Sequence, residues 1–261
     1  MKDDRRLGTV SGIIVPQWPV VFEGELDNPS AVLKSLREVG KTVRQNKVDT
    51  VIVLSPFWIA RSGFYVEPSA FHSAQNDFSG YPVDLRYNCP GDPALAQQLI
   101  EAGKKEGLPV QACHHWADVA AAVPLKVLFP NGEKPIVPLS SSELSLETCL
   151  KWGSVIRQAI EKSGKNVLIL GGGGLSHNLT ACLHLEDGMA AVIFDQKVLN
   201  CLRDGKGPEI KKMDPYWIRV GNPAADLSDL YVMLGALGPT TRFSLNAYDG
   251  APGQGWAVLT T

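Results

Sequence analysis

Cysteine is sparse in this chain, with five in 261 residues. Cys89, Cys113, Cys149, Cys182 and Cys201 are an odd, scattered set with no Cys-x-x-Cys pair. That excludes a disulfide-stapled miniprotein and reads as the reduced thiols of a cytosolic protein. Long apolar runs are also missing: none approaches the ~18 residues a membrane span needs, so no membrane partner is expected. Neither sign of charge dominates. Twenty-five basic against 27 acidic residues leave a net charge of −2, and no basic block invites nucleic acid. The opening Met-Lys-Asp-Asp-Arg-Arg is charged and leads into a short strand-like stretch, which does not read as a secretory signal. A cytoplasmic location is the expectation. Repeats and low-complexity linkers are absent as well, so residues 1–261 read as one domain.

Apolar residues are plentiful, at 44% of the chain, enough for a large core. Thr9–Val15 and Thr50–Leu54 are β-branched, nearly continuous apolar runs, the pattern of strands covered on both faces. Between them Val32, Leu36, Val39 and Val43 recur at helical spacing, with Asn28 as the predicted N-cap and Pro29 at the first helical position. Asp92-Pro93 opens a second helix in the same way. Val110 and Ile136–Leu139 begin short strands, and Ser145–Ser163 is the longest helical pattern, closed by Gly164. Asn166–Leu170 is a strand that stops abruptly at Gly171–Gly174. Helical patterns follow around Ala190–Leu202 and Leu227–Leu237, then two short strands, Arg242–Asn246 and Gly255–Leu259. This alternation predicts an α/β fold with a central, largely parallel sheet flanked by helices. The segment between Ala60 and Pro93 reads as a long aromatic loop (Phe64, Tyr65, Phe71, Phe78, Tyr81, Tyr87), the kind that forms a binding surface or lid.

The glycine run ends in Leu175-Ser176-His177-Asn178. The spacing fails both phosphate motifs: a dinucleotide fingerprint needs glycine at 176, and no Gly-Lys-Ser/Thr is present. Glycines at the C-terminal edge of a sheet still permit close backbone approach to a ligand, and His177 there is an acid/base candidate or an ordinary turn histidine. His177 and His184, seven apart, make a poor metal pair without a carboxylate or cysteine beside them. His114-His115-Trp116 with Asp118 lines a pocket or is a plain loop. Phe57 and Trp58 stack on a ring-shaped ligand or fill the core. Asn178-Leu179-Thr180 is sequon-like and carries no meaning in a cytosolic chain.

Ile14-Val15-Pro16-Gln17, Val53-Leu54-Ser55-Pro56-Phe57-Trp58, Tyr87–Ala96, Val123-Pro124-Leu125, Gly172–Asn178 and Met233-Leu234-Gly235-Ala236-Leu237 occur in that order. In combination the chain resembles the class III extradiol ring-cleavage dioxygenases over essentially its whole length. The resemblance implies their fold and a ferrous ion held by two histidines and a glutamate, with positions open for the aromatic substrate and dioxygen. It puts Gln17 at the first histidine position and Phe57 at the second. It puts Pro223 or a neighbour at the glutamate position, with Asp226 the nearest carboxylate. The family's acid/base histidine maps onto His177, a vestigial position here, and Trp58, His115 and Asp226 are the further residues expected to line the cleft.

A phenyl ring has no lone pair to donate, and a neutral amide oxygen is a weak ligand beside imidazole. The expectation is therefore a catalytically silent chain with no cofactor of its own. Within the family it resembles the metal-free α subunits that accompany a homologous iron-bearing β subunit in the group opening 2-aminophenol. Fe(II) is then expected in that partner, in a hetero-oligomer such as α2β2. Two other readings compete: an active enzyme with a displaced metal site made by His114, His115, His177 and Asp118, and a non-enzymatic binding protein of the same fold. A single Phe57→His change is expected not to restore iron.

Overall fold

The computed structural model describes residues 7–22, 27–74, 84–178, 184–251 and 253–261. Phe78 and Tyr81 of the aromatic segment, Thr180 of the sequon-like triplet, Cys182 and the charged start at residues 1–6 lie outside the described residues. The four described cysteines are free thiols.

Eight strands form one sheet. In chain order they are β1 (Thr9–Ile14), β2 (Thr50–Ala60), β3 (Phe64–Val66), β6 (Val110–Ala112), β7 (Ile136–Ser142), β8 (Asn166–Gly171), β9 (Ser244–Ala251) and β10 (Gln254–Thr260). A separate antiparallel ribbon pairs β4 (Phe71–Ala74) with β5 (Tyr87–Pro90). The sheet order is β6-β3-β7-β2-β8-β1-β10-β9. Its middle, β7-β2-β8-β1, is all parallel, and antiparallel pairing enters at β3–β7 and at β10. Thr50–Leu54 of β2, Ile136–Leu139 of β7 and Val167–Leu170 of β8 are buried on both faces, which is why they read as apolar runs.

Helices cover both faces. α1 (Ala31–Gln45) and α3 (Val119–Leu128) pack on one face, in a core with Leu33, Leu36, Val51, Val53 and Phe129. α2 (Pro93–Lys105), α4 (Leu146–Ser163), α5 (Leu185–Arg203) and α7 (Ser228–Leu237) pack on the other, around Trp152, Phe194, Tyr231 and Leu234. A short α6 (Pro215–Gly221) joins α5 to α7. Among the described residues no helix is long and apolar enough to cross a membrane.

Most predicted elements are present, and the departures have physical causes. α1 starts two residues after Pro29, because the Ser30 hydroxyl takes the N-cap by accepting from Leu33 N at 3.1 Å. β2 runs on past Leu54: after a bulge its end pairs again with β7, Ile59 opposite Ser141. The stretch from Ala60 to Pro93 is not a structureless loop, since it supplies β3, β4 and β5. α3 has almost no polar face; Val-Ala-Ala-Ala-Val is buried all round, so it lacks the alternation that marks an amphipathic helix. Asp118 caps it by accepting from Ala120 N at 2.9 Å.

Candidate functional site

The C-terminal ends of β1, β8 and β2 lie side by side, and this edge is where open α/β sheets place their ligands. The chain leaves β1 through Val15 and Pro16 to Gln17, with Val15 N–H donating to Gly171 O at 2.9 Å. Beyond β8 the glycine run turns sharply. Gly173 and Gly174 have φ of 79° and 63°, and a Cβ at Gly173 would stand 2.4 Å from the Ile14 side chain. Beyond Leu54, Ser55 Oγ accepts from the N–H groups of Phe57 and Trp58 (3.2 and 3.3 Å) and donates to Asp118 Oδ2 at 2.5 Å. These turns bring Gln17, Phe57 and His177, each from a different part of the sequence, to one cleft. Trp18, Ala224 and Trp256 complete much of its wall, and its cavity volume is about 60 Å³.

Gln17 is almost fully buried. Its Nε2 donates to Leu54 O at 2.9 Å and to Ala120 O at 3.2 Å, stapling β2, just before its bulge, to α3. Its Oε1 is buried with no hydrogen-bond partner. Phe57 is 42% exposed and meets Trp18 with ring centroids 5.5 Å apart. His177 is half-buried, its backbone N–H donating to Gly221 O at 2.8 Å, and burial lowers the pKa of its side chain, which favours the neutral imidazole.

The other expected residues are placed elsewhere. Pro223 is buried just outside the cleft, and its neighbour Ala224 lines it. Asp226 is exposed outside the lining, on a turn in which Ala225, Asp226 and Leu227 all have positive φ (47°, 48° and 70°). Three consecutive non-glycine residues in the left-handed region are a costly arrangement, and it sits at the rim of this cleft. Trp58 and His115 also stand outside the lining: Trp58 is buried, and its indole stacks on His115 at 4.4 Å and 12°. His115 Nε2 lies 3.4 Å from Asp118 Oδ2, whereas His114 Nδ1 lies 3.2 Å from Glu67 Oε1. The two histidines thus serve different carboxylates, and His177 belongs to the cleft, so the displaced metal site is not assembled.

These donors do not fit the ferrous site of active extradiol dioxygenases. The lining offers one imidazole, one amide oxygen and a phenyl ring where two imidazoles and a carboxylate are needed. Asp229, fully buried at the start of α7, accepts from Leu230 N (2.8 Å) and Gly172 N (3.3 Å) and lies outside the lining. Among the described residues no group of three His, Cys, Asp or Glu side chains is placed to hold a metal ion.

The turn bearing His177 is pinned by a second buried acid. Asp195, on α5, accepts from Ser176 N (2.5 Å), Ser176 Oγ (2.8 Å) and Tyr248 OH (3.0 Å). It closes against Gly255, where a Cβ would stand 2.1 Å from its Oδ2. Neither acid was legible in the sequence, although each is a carboxylate inside an apolar helical stretch, which is the available signal. Burial pushes both carboxyls from 3.8 up to about 6, against the hydrogen bonds they accept. The folded state therefore binds these two protons more tightly than the unfolded chain. Their contribution is most favourable below pH 4 and is lost as pH rises through about 6. Urea unfolding is expected to show stability falling by roughly 2–3 kcal/mol per buried acid between about pH 4 and 6.5, and Asp195→Asn should remove about half of the slope. An unchanged slope in that variant would refute the assignment.

The family profile described as the catalytic LigB subunit of aromatic ring-opening dioxygenase matches residues 15–259. The 3,4-dihydroxyphenylacetate 2,3-dioxygenase of Escherichia coli is 24% identical over 217 residues, 77% of this chain and 78% of that protein. The 4,5-DOPA dioxygenase extradiol of Mirabilis jalapa is 27% identical over 212 residues, 76% of this chain and 77% of that protein. The β subunit of 2-aminophenol 1,6-dioxygenase from Pseudomonas sp is 26% identical over 191 residues, 64% of this chain and 62% of that protein. The crystal structure of an uncharacterized Escherichia coli K12 protein superimposes with a TM-score of 0.72 at 19% identity, covering 98% of this chain and 99% of the other. That likeness establishes the fold. With the profile running from the end of β1 to the end of β10, the chain belongs to the LigB family of class III extradiol ring-opening dioxygenases.

Proposed function

We propose that this chain is a catalytically silent, metal-free α subunit of a class III extradiol dioxygenase, and that it supports a homologous β subunit carrying the Fe(II). The observation that carries the reading is the chemistry of the cleft: Gln17 and Phe57 stand together there, and neither supplies the imidazole that a ferrous site needs. Gln17 is moreover committed to a structural task, since both its N–H bonds go to backbone carbonyls of β2 and α3. A cavity of about 60 Å³ is also smaller than the ~150 Å³ that takes up benzene, so an aromatic substrate does not fit it as it stands. A full α/β core kept around such a cleft suits a protein retained for its surface.

The enzyme we assign it to is 2-aminophenol 1,6-dioxygenase. This rests on the resemblance of the motifs and on the relative named as that enzyme's β subunit. No residue of the cleft reads an amino group against a hydroxyl. The test is to purify the chain alone under anaerobic conditions with Fe(II), and again after co-expression with a ligand-complete β subunit. Near-zero iron alone, and co-purification with an iron-bearing, ring-cleaving partner, are the expected results. One iron per chain, or ring cleavage by the chain alone, would overturn the reading. Stable purification of both chains apart would remove the subunit role.

A further inference from the structure

α5 carries apolar residues on both of its sides. Ala191, Phe194, Val198, Leu199 and Leu202 are buried, the inner stripe of a helix that covers a core. The opposite side of such a helix is ordinarily polar, and here it is not. Met189 and Ile193 are 61% and 44% exposed. Residues four apart on a helix are neighbours, so these two make one apolar spot facing solvent. A single exposed apolar side chain needs no explanation; a pair set between charges of opposite sign does. Glu186 is exposed just before Met189, and Lys197 follows Ile193 by one turn, its Nζ 5.0 Å from the centre of the Trp217 ring. At 3.6 residues per turn Glu186 and Lys197 fall on the same flank of the helix, about 20° apart. Neither belongs to an ion pair among the described residues.

This order of charge and apolar surface is complementary to itself. Two antiparallel helices related by a two-fold axis bring like flanks together. With the axis near residues 191 and 192, Met189 of each copy meets Ile193 of the other. Glu186 of each then stands beside Lys197 of the other, one ion pair at either end of the apolar centre. A parallel pair would set like charges level with one another, which disfavours it. We propose that α5 is the surface through which two copies of this chain pair, antiparallel, by way of Met189, Ile193 and the Glu186–Lys197 contacts. The inference goes beyond the subunit reading: it supplies a contact between the two silent chains of an α2β2 assembly, and it holds or fails independently of iron. One helix pair is a small interface, so the expected affinity is micromolar.

The test is sedimentation velocity of the full chain, purified alone, from about 1 to 200 μM at about 0.1 M salt. A species of twice 28.2 kDa is expected to grow with concentration. Ile193→Arg, at an exposed position, should leave the melting temperature unchanged and weaken pairing by about thirtyfold or more, since the two-fold axis puts both arginines in the contact. Glu186→Lys and Lys197→Glu should each weaken pairing by about tenfold, because each creates two like-charge contacts. The double variant Glu186→Lys/Lys197→Glu should return to within about threefold of the parent chain, a recovery that a purely local role of either residue would not produce. A chain that stays monomeric throughout, a dimer indifferent to Ile193→Arg, or no recovery in the double variant would each overturn the proposal. If the chain is monomeric alone and Ile193→Arg instead releases a co-expressed β subunit, the surface belongs to that partner and the pairing of two copies is overturned as well.

Discussion

Gly235→Ala is expected to destabilise the chain by about 3 kcal/mol or more, lowering the melting temperature by roughly 6–12 °C. The reason lies where α4 crosses α7. A Cβ at Gly235 would stand 2.2 Å from Leu150 O and 2.9 Å from Gly153 Cα, and a Cβ at Gly153 would stand 2.1 Å from Val232 O. Both collisions are with backbone, so no rotamer change relieves them; the helices must separate. Every residue of α7 is buried, and moving the helix away would open space beneath Tyr231, Leu234 and Trp152. In an exposed helix the same change would gain close to 1 kcal/mol from propensity alone, so the sign of the result is diagnostic. A melting point equal to or above that of the parent chain would show that α4 and α7 can part without loss.

How much of this was readable beforehand depended on whether the physical signal was local. β1, β2 and β8 announced themselves as β-branched apolar runs because both faces are covered, and α4 carried both its Ser145 cap and its Gly164 stop. α3 did not, since a helix buried all round has no polar face to set a period. The β4–β5 ribbon escaped because its two strands are short and lie well apart in sequence. At the site, the meeting of Gln17, Phe57 and His177 came from the family resemblance; residues so far apart in sequence leave no periodic trace. Trp58 and His115, both expected at the wall of the cleft, stand outside its lining. The extended backbone after Ser55 leaves Phe57 exposed and buries Trp58 against His115 instead. For Asp195 and Asp229 the only signal in the sequence is an acid within an apolar helical stretch; what each does depends on its donors, and Ser176 and Tyr248 reach Asp195 from other elements.

Restoring the two imidazoles should fail to restore the metal. In Gln17→His/Phe57→His, iron after anaerobic loading with Fe(II) and desalting is expected to stay far below one per chain, as it is for Phe57→His alone. Two neutral imidazoles lack the carboxylate that completes a facial ferrous site. Neither nearby acid supplies it: Asp226 is exposed outside the cleft, and Asp229 is already engaged by Leu230 N and Gly172 N. The double variant should also be less stable by about 1–3 kcal/mol, because an imidazole has at most one N–H to aim where the glutamine amide serves both Leu54 O and Ala120 O. Phe57→His adds little to that cost, since the ring is exposed. Adding Ala224→Glu places a carboxylate on a residue that does line the cleft, and this triple variant is expected to gain iron. Inductively coupled plasma mass spectrometry of the four proteins, with melting curves on the same preparations, separates the cases. Stoichiometric iron in the double variant would mean that a third donor is within reach of the cleft and that the site is less degraded than its residues indicate. A triple variant that folds and stays iron-free would mean that the left-handed turn at Ala225–Leu227 holds the carboxylate out of reach, so that backbone as well as side chains keeps this cleft from forming a ferrous site.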